Sequence, residues 1–255
     1  MSRVFDLTGK VAVVTGGNGG IGFGMARGLA RAGARVVIAA RDAAKSAQAV
    51  QALRTIGSDA FAISADVSNE DSVVALFAEV ASRCGRLDIL VNNAGTFLRK
   101  PPQDTLLAEW QAVMDTNSTG PFLCAKAAHP HLCAAGGGKI INVASLVSLF
   151  GVAHAAAYSA SKGAVLQLTR SLATAWAGDR IQVNAVLPGW IDTPMTHDAR
   201  VPGGELNDRV IARTPAGRWG EIEDFEGIAV FLASAAANFI TGTAIAVDGG
   251  YSVQV

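Results

Sequence analysis

The run Lys10-Val11-Ala12-Val13-Val14-Thr15-Gly16-Gly17-Asn18-Gly19-Gly20-Ile21-Gly22 decides how the chain is read. Its first half is apolar and β-branched, the composition of a strand buried on both faces, and it ends abruptly in a glycine-rich turn. Phe23 to Ala32 then carries a helical pattern that Gly33 terminates, and Ala34 to Ala40 is strand-like again. Strand, glycine turn, helix and strand make a βαβ unit. Glycines at its first turn let the backbone bend tightly and let a phosphate reach the N–H groups at the helix N-terminus, where the dipole favours negative charge. A glycine motif alone also fits a flexible turn; between a buried strand and a helix it points to a dinucleotide.

The alternation continues with a helix near Ala43 to Gly57, a strand near Ala60 to Ala65, a helix near Glu70 to Cys84 and a strand from Leu87 to Val91. Asp66 follows the third strand, where its carboxylate can accept from an adenine amino group or cap the next helix. Asn92-Asn93-Ala94-Gly95 closes the fourth strand with residues small enough for a ligand to approach. A helical stretch from about Thr105 to Ala135 contains Asn117 and Pro121. The proline has no N–H for the carbonyl four residues earlier, which predicts a kink and a free Asn117 carbonyl able to hold water. A plain helix break at Ser118-Thr119-Gly120 fits the same residues. Arg180 to Leu187 reads as a sixth strand, followed by a mixed segment whose residues 192–215 resemble a mobile lid. Lone His197 reads there as a solvated loop residue. A helix near Glu221 to Ala236 and a strand near Thr243 to Val247 complete one domain over residues 1–255, without repeat or linker.

The chemistry-bearing stretch is Lys139 to Lys162. A strand from Lys139 to Ser145 leads through a loop into a helix carrying Tyr158 and Lys162, which share a face because residues four apart are helix neighbours. A tyrosine titrates near pH ~10, and a cation within ~4–6 Å favours the phenolate, so this pairing predicts a proton donor usable nearer neutrality. Such pairs are also common on plain surfaces. Ser145 at the preceding strand end adds a second hydroxyl where α/β sheets present ligand-binding groups.

Composition excludes several functions. Of 255 residues 50% are hydrophobic and 16% charged, and 21 basic residues balance 21 acidic ones, so neither nucleic acid nor an anionic membrane surface is an expected partner. No apolar run reaches the length of a spanning helix, and Arg3, Asp6 and Lys10 interrupt any leader-like pattern, which predicts a cytoplasmic protein. Cys84, Cys124 and Cys133 read as reduced packing residues without a metal-ligand spacing, so no metal is expected. Ala164 to Leu168 and Ala173 to Trp176 show little polar face, which predicts burial of part of that helix between subunits.

In this order, Thr15-Gly16-x-x-x-Gly20-x-Gly22, Asn92-Asn93-Ala94-Gly95, Asn117, Ser145, Tyr158-x-x-x-Lys162 and Pro188-Gly189 resemble the short-chain dehydrogenase/reductase family over essentially the whole chain. The resemblance implies an α/β fold: a single doubly wound Rossmann domain with a seven-stranded parallel sheet flanked by helices, in a homotetramer. It implies hydride transfer between a nicotinamide cofactor and a small secondary alcohol or ketone, with no metal required. Tyr158 would be the general acid/base, Lys162 the group lowering its pKa and holding the nicotinamide ribose, Ser145 the anchor of the substrate oxygen, and Asn117 the holder of a relay water. Cofactor contacts are implied at Gly16, Asn18, Gly19, Gly20, Ile21 and Gly22, at Arg41, Asp66 and Val67, and at Asn93, Ala94 and Gly95 on the adenosine side. Pro188, Gly189, Ile191 and Thr193 are implied near the nicotinamide, the last two at its carboxamide. Ala144 departs from the family's usual serine.

The segments Pro215 to Gly220 and Val247 to Gly250 look similar to sugar-acid and polyol dehydrogenases, though 3-oxoacyl thioester reductases share much of them. A non-catalytic dinucleotide sensor would be expected to have lost at least one of the four catalytic-type residues. Where NAD-dependent relatives usually carry Asp, this chain has Ala40 followed by Arg41, which favours NADP over NAD because a guanidinium can fork onto a 2′-phosphate. Asn18 and a ribose-facing Asp42 would pull towards NAD, and Arg41 also reads as a surface residue at the strand end.

Overall fold

In the computed structural model, which describes residues 3–254, strands and helices alternate along the chain. Strands β1 (Val11–Thr15), β2 (Arg35–Ala39), β3 (Phe61–Ile63), β4 (Ile89–Asn92), β5 (Gly138–Val143), β6 (Ile181–Pro188) and β7 (Ala244–Val247) form one sheet in the order β3-β2-β1-β4-β5-β6-β7. Every neighbouring pair is parallel. The fold class implied by the resemblance is the fold observed. Parallel strands need crossover helices on both faces, which is why β1 reads as an unbroken apolar run and is buried throughout.

Eight helices supply the crossovers: α1 (Gly20–Arg31), α2 (Ala43–Thr55), α3 (Glu70–Cys84), α4 (Leu107–Met114), α5 (Gly120–Ala134), α6 (Ala156–Trp176), α7 (Glu205–Arg213) and α8 (Glu226–Ala233). One face of the sheet packs against α1, α2 and α8 through Met25, Leu29, Leu53, Ala229 and Leu232. The other packs against α3, α5 and α6 through Phe77, Val80, Leu132 and Leu172. Helix α1 lies so close to α8 that a Cβ at Gly28 would sit 2.6 Å from the Glu226 carbonyl oxygen. Val165, Leu166, Leu172 and Ala173 of α6 are buried inside the chain itself, so the sheet already covers most of the apolar face expected between subunits.

Three elements differ from their sequence reading. Helix α1 begins at Gly20, three residues before Phe23, because the glycine turn closes early. The stretch from Thr105 to Ala135 neither stays one α-helix nor breaks at residues 118–120. It passes from α4 to α5 through a π turn at Asp115–Thr119, whose closing bond runs from the Gly120 N–H to the Asp115 carbonyl. Widening by one residue lets the helix continue past Pro121, which has no N–H to offer. The segment read as a lid contains a 3₁₀ turn at Pro194–Ala199 and helix α7. Among the described residues no helix is long and apolar enough to cross a membrane.

The amino edge of the sheet holds two buried charges. Asp88 accepts from the Val11 N–H at 3.0 Å, from Lys10 and from Nε and Nη2 of Arg86. Burial pushes its pKa up, but these donors outweigh it and hold the carboxyl below its usual range. Lys139, 8% exposed at the start of β5, has one side-chain partner, the Asn238 Oδ1 at 2.8 Å. Burial lowers its pKa from 10.5 to about 8. Between these values the unfolded chain binds more protons than the folded one, so this lysine's penalty is full below pH ~8 and fades towards pH ~10. Lys139→Met is therefore expected to raise stability at pH 7 by at most about 3 kcal/mol, with the gain narrowing at pH 10. Urea unfolding of both proteins at the two pH values measures this; a gain that widens with pH would refute it.

Candidate active site

A cleft of about 460 Å³ opens at the carboxyl ends of the strands, against the glycine turn after β1 and the loop after β4. Here the strand order reverses, and helices leading in opposite directions leave a crevice. Its walls are Gly16, Asn18, Gly19, Gly20 and Ile21 from the turn, Arg41, Asp42 and Lys45 beyond β2, Asp66 and Val67 beyond β3, Asn93, Ala94 and Gly95 beyond β4, and Thr193 beyond β6. A separate hollow of about 790 Å³ is bounded by Asp192, Asp198, Glu221 and Glu223, the wrong sign for a phosphate.

The turn is shaped to receive an anion. Gly16 and Gly20 have φ of +61° and +53°, the left-handed region that glycine enters without strain. No side chain caps the N-terminus of α1, and its first turn carries no acid, which leaves helix N–H groups and the dipole facing the cleft. Gly22 serves a neighbour instead. A Cβ there would lie 2.2 Å from the Asn93 amide nitrogen, and that amide donates to the Thr15 and Gly16 carbonyls at 3.0 and 3.1 Å. The Thr15 hydroxyl in turn receives the N–H groups of Asn93 and Ala94.

The second cluster sits at the end of β5. The Lys162 ammonium is buried and donates to the Val143 carbonyl at 2.7 Å, and burial lowers its pKa to about 8. A Cβ at Gly95 would be 3.7 Å from the Lys162 Nζ and 3.4 Å from the Asn117 Oδ1, so the cleft wall ends against this cluster. The Tyr158 ring meets Phe97 edge-on at 5.0 Å and has the Lys162 Nζ 5.7 Å from its centroid. Ser145 accepts from the Val147 N–H, while Ser148 donates its hydroxyl to the Lys162 carbonyl at 2.8 Å and fixes that turn of α6. The Asn117 amide donates to the Thr96 carbonyl and to Ser161 Oγ, and its Oδ1 accepts from the Thr96 N–H at 2.8 Å. Its side chain is fully committed, which leaves the main-chain carbonyl as the polar group it can offer.

Several expectations need correction. Without ligand, burial pushes the Tyr158 phenol above its ordinary value and the Ser145 hydroxyl pulls it only partly back; the ammonium faces the ring and a carbonyl rather than lowering the pKa. Asp42 caps α2 by accepting from the Lys45 N–H, so it does not turn to a ribose. Asp66 does not cap α3, because Asn69 does; its carboxyl accepts from the Ser68 N–H and hydroxyl, which hold it low with help from Arg41. The Asn18 amide reaches Ser46 Oγ at 3.2 Å. The Ile191 side chain is buried in the core, and Gly189 packs against Asp248, whose Cβ would be 2.7 Å from one added at Gly189. Thr193 lines the cleft beside the glycine turn.

A family model described as enoyl-(acyl carrier protein) reductase matches residues 16–252. The chain belongs to the short-chain dehydrogenase/reductase family. It is 45% identical over 245 residues to cis-4-hydroxycyclohexanecarboxylate dehydrogenase of Sinomonas cyclohexanicum, covering 95% of this chain and 96% of that protein. It is 39% identical over 252 residues to gluconate 5-dehydrogenase of Gluconobacter oxydans (strain 621H), with 99% and 98% covered. The crystal structure of a gluconate 5-dehydrogenase from Burkholderia cenocepacia J2315 in complex with NADP and tartrate superposes with a TM-score of 0.94 at 40% identity, 99% of each chain being covered. This short-chain dehydrogenase/reductase is accordingly an NAD(P)-dependent oxidoreductase acting between a secondary alcohol and its ketone.

The structure adds residues to the site that sequence reasoning missed. Lys45, in the first turn of α2, lies over the glycine turn, where a Cβ at Gly19 would be 2.7 Å from its Cε and Nζ; only its spacing after Asp42 could have signalled it. Thr96, Ser148 and Ser161 act through neighbours and carry no local signature. His129 and Cys133, four apart on α5, form with Asp179 a second polar cluster that the cysteine count passed over. Because the Asn93 amide holds the glycine turn, Asn93→Ala is expected to weaken NADP binding about tenfold and to lower stability by about 1–2 kcal/mol. Titration by fluorescence and denaturant unfolding measure the two effects; unchanged affinity would show that the turn holds its shape alone.

Proposed function

We propose that the protein interconverts a hydroxyl and a ketone on a sugar acid with NADP, using Tyr158 as general acid/base. The observation that carries this reading is the meeting of Tyr158, Ser145 and Lys162 at the end of a cleft whose remaining wall carries Arg41 and Lys45. A bound nicotinamide would supply or accept the hydride at the substrate carbon. In reduction, Ser145 would hold the carbonyl oxygen and Tyr158 Oη would give it the proton as negative charge develops. Lys162 is proposed to stabilise the resulting phenolate and to hold the nicotinamide ribose. The Asn117 carbonyl is proposed to hold a water that returns the proton.

Arg41 is proposed as the 2′-phosphate ligand. It is 75% exposed in its side chain and leans on Asp66 at 3.8 Å, a loose pairing in water that a doubly charged phosphate would outcompete. Lys45 is proposed as its companion. We place the glycine turn from Gly16 to Gly22 at the pyrophosphate, Asp66 and Val67 at the adenine, and Ala94, Gly95 and Thr193 along the nicotinamide half. The 3₁₀ turn at Pro194–Ala199 and α7 are proposed to move as a lid over the substrate, in a cytoplasmic homotetramer that binds no nucleic acid. Relatives named for gluconate 5-dehydrogenase and the relative holding NADP and tartrate support the sugar-acid and NADP readings.

The test is a spectrophotometric screen of gluconate-type sugar acids, polyols, cyclic hydroxy acids and a 3-oxoacyl thioester with both cofactors. A sugar acid with NADP is expected to give the highest kcat/KM; preference for the thioester would overturn the substrate class. Tyr158→Phe is expected to keep cofactor binding and lose activity by ~10²- to 10⁴-fold, and activity within a few-fold of wild type would remove Tyr158 from its role. Arg41→Ala should reduce the NADP over NAD ratio of kcat/KM by roughly ten- to a hundredfold. An unchanged ratio would mean another group reads the phosphate.

A further inference from the structure

Away from the cleft, the last full turn of α5 and the turn after α6 bring together one imidazole, one thiol and one carboxylate. His129 Nε2, Cys133 Sγ and an Asp179 carboxylate oxygen all lie within 4.8 Å of one another. Asp179 Oδ2 is 2.9 Å from His129 Nε2, and Cys133 Sγ is 3.5 Å from that same nitrogen against 4.0 Å from Nδ1. The arrangement is not a nucleophile relay, in which the imidazole would meet thiol and carboxylate through opposite nitrogens. Both partners sit nearer the same ring nitrogen, the carboxylate at hydrogen-bond distance and the thiol beside the ring.

The dimensions fit a borderline-soft divalent cation. A tetrahedral zinc ion with nitrogen at ~2.0 Å and sulfur at ~2.3 Å holds those two ligands about 3.5 Å apart; Cys133 Sγ is already that far from Nε2, but at 4.0 Å from Nδ1 it lies beside the ring, so a turn of the Cys133 side chain is needed to bring it in front of the nitrogen. The Asp179 oxygen needs only to back away by a few tenths of an ångström. Ring orientation is set beforehand, since Trp176 stacks on His129 with centroids 4.6 Å apart. The His129 and Asp179 side chains are 30% and 45% exposed, so an ion has a path in and water can take a fourth position.

We propose that His129, Cys133 and Asp179 form a binding site for one zinc-class divalent cation per chain. Binding releases the thiol proton to solvent and leaves the neutral imidazole with its proton on Nδ1, and the ion ties α5 to the end of α6. The site is separate from the dehydrogenase reaction and structural in character.

The test uses the tag-free, full-length protein, stripped with chelator under a thiol-free reductant and titrated with Co²⁺. Wild type is expected to bind one equivalent with a near-ultraviolet thiolate-to-cobalt charge-transfer band that Zn²⁺ removes. Zn²⁺ should also raise the Tm. Cys133→Ser should lose the band and the Tm response, His129→Ala and Asp179→Asn should weaken binding at least tenfold, and Cys84→Ser should change nothing. Absence of the band in wild type, or its survival in Cys133→Ser, would overturn the site. Should Cys133→Ser fail to fold, unchanged Co²⁺ affinity in Asp179→Asn, altered only at an exposed carboxylate, would overturn it equally.

Discussion

One carboxamide fastens the carboxyl edge of the sheet. The Asn93 side chain donates to two successive carbonyls, Thr15 and Gly16, from a position that exists because Gly22 has no side chain. With the Thr15 hydroxyl receiving two N–H groups in return, β1, β4 and α1 are joined at a single point. Each such bond contributes only about 1 kcal/mol net, so the lock matters for shape more than stability. It sets the angle at which α1 leaves the sheet and hence where the free N–H groups of its first turn point. Glycine at 16, 20 and 22 thus answers three different demands: two left-handed backbones and one volume surrendered to a neighbour.

Lys162 illustrates a different constraint. An ammonium buried with one carbonyl partner is an unfavourable feature of the ligand-free fold, as its pKa near 8 records. Ser148 holds the backbone beneath it, and the ammonium is tied to the Val143 carbonyl. Tyr158, in the same low-dielectric region, is driven in the opposite sense and keeps its proton. Two groups whose environments push them apart in this way are a common basis of acid and base work at one site. Their final values depend on what fills the cleft, since a ligand changes both the dielectric and the hydrogen-bond partners.

The parallel sheet was legible because burial on both faces leaves a blunt signature: β1 and β4 are nearly continuous apolar runs ended by glycine and asparagine. The meeting of Tyr158, Lys162 and Ser145 was legible because helix periodicity and strand ends fix where such residues point. Other features depend on tertiary packing. Asp66 had two local readings, and the Asn69 cap decided against one of them from outside the motif. Ile191 belongs to a loop, where periodicity says nothing about which side faces the core. Lys45 reaches the glycine turn only because α2 folds back over β2, a distance of many residues along the chain and a few ångströms in space.

The π turn at Asp115–Thr119 has a bearing on how this chain can vary. One surplus residue in a helix rotates everything after it by about 100° relative to what precedes it. The face that α4 presents and the face that α5 lays on the sheet are therefore aligned by residue count rather than by residue type. Removing any one amino acid between 115 and 119 would restore regular helical winding and close the gap opposite Pro121. It would also swing Asn117 away from Thr96 and Ser161 and turn Cys124, Ala128 and Leu132 out of the core. The segment should consequently accept many substitutions at its outward positions while admitting no change in length, an indel-intolerant joint in the middle of an otherwise ordinary helix.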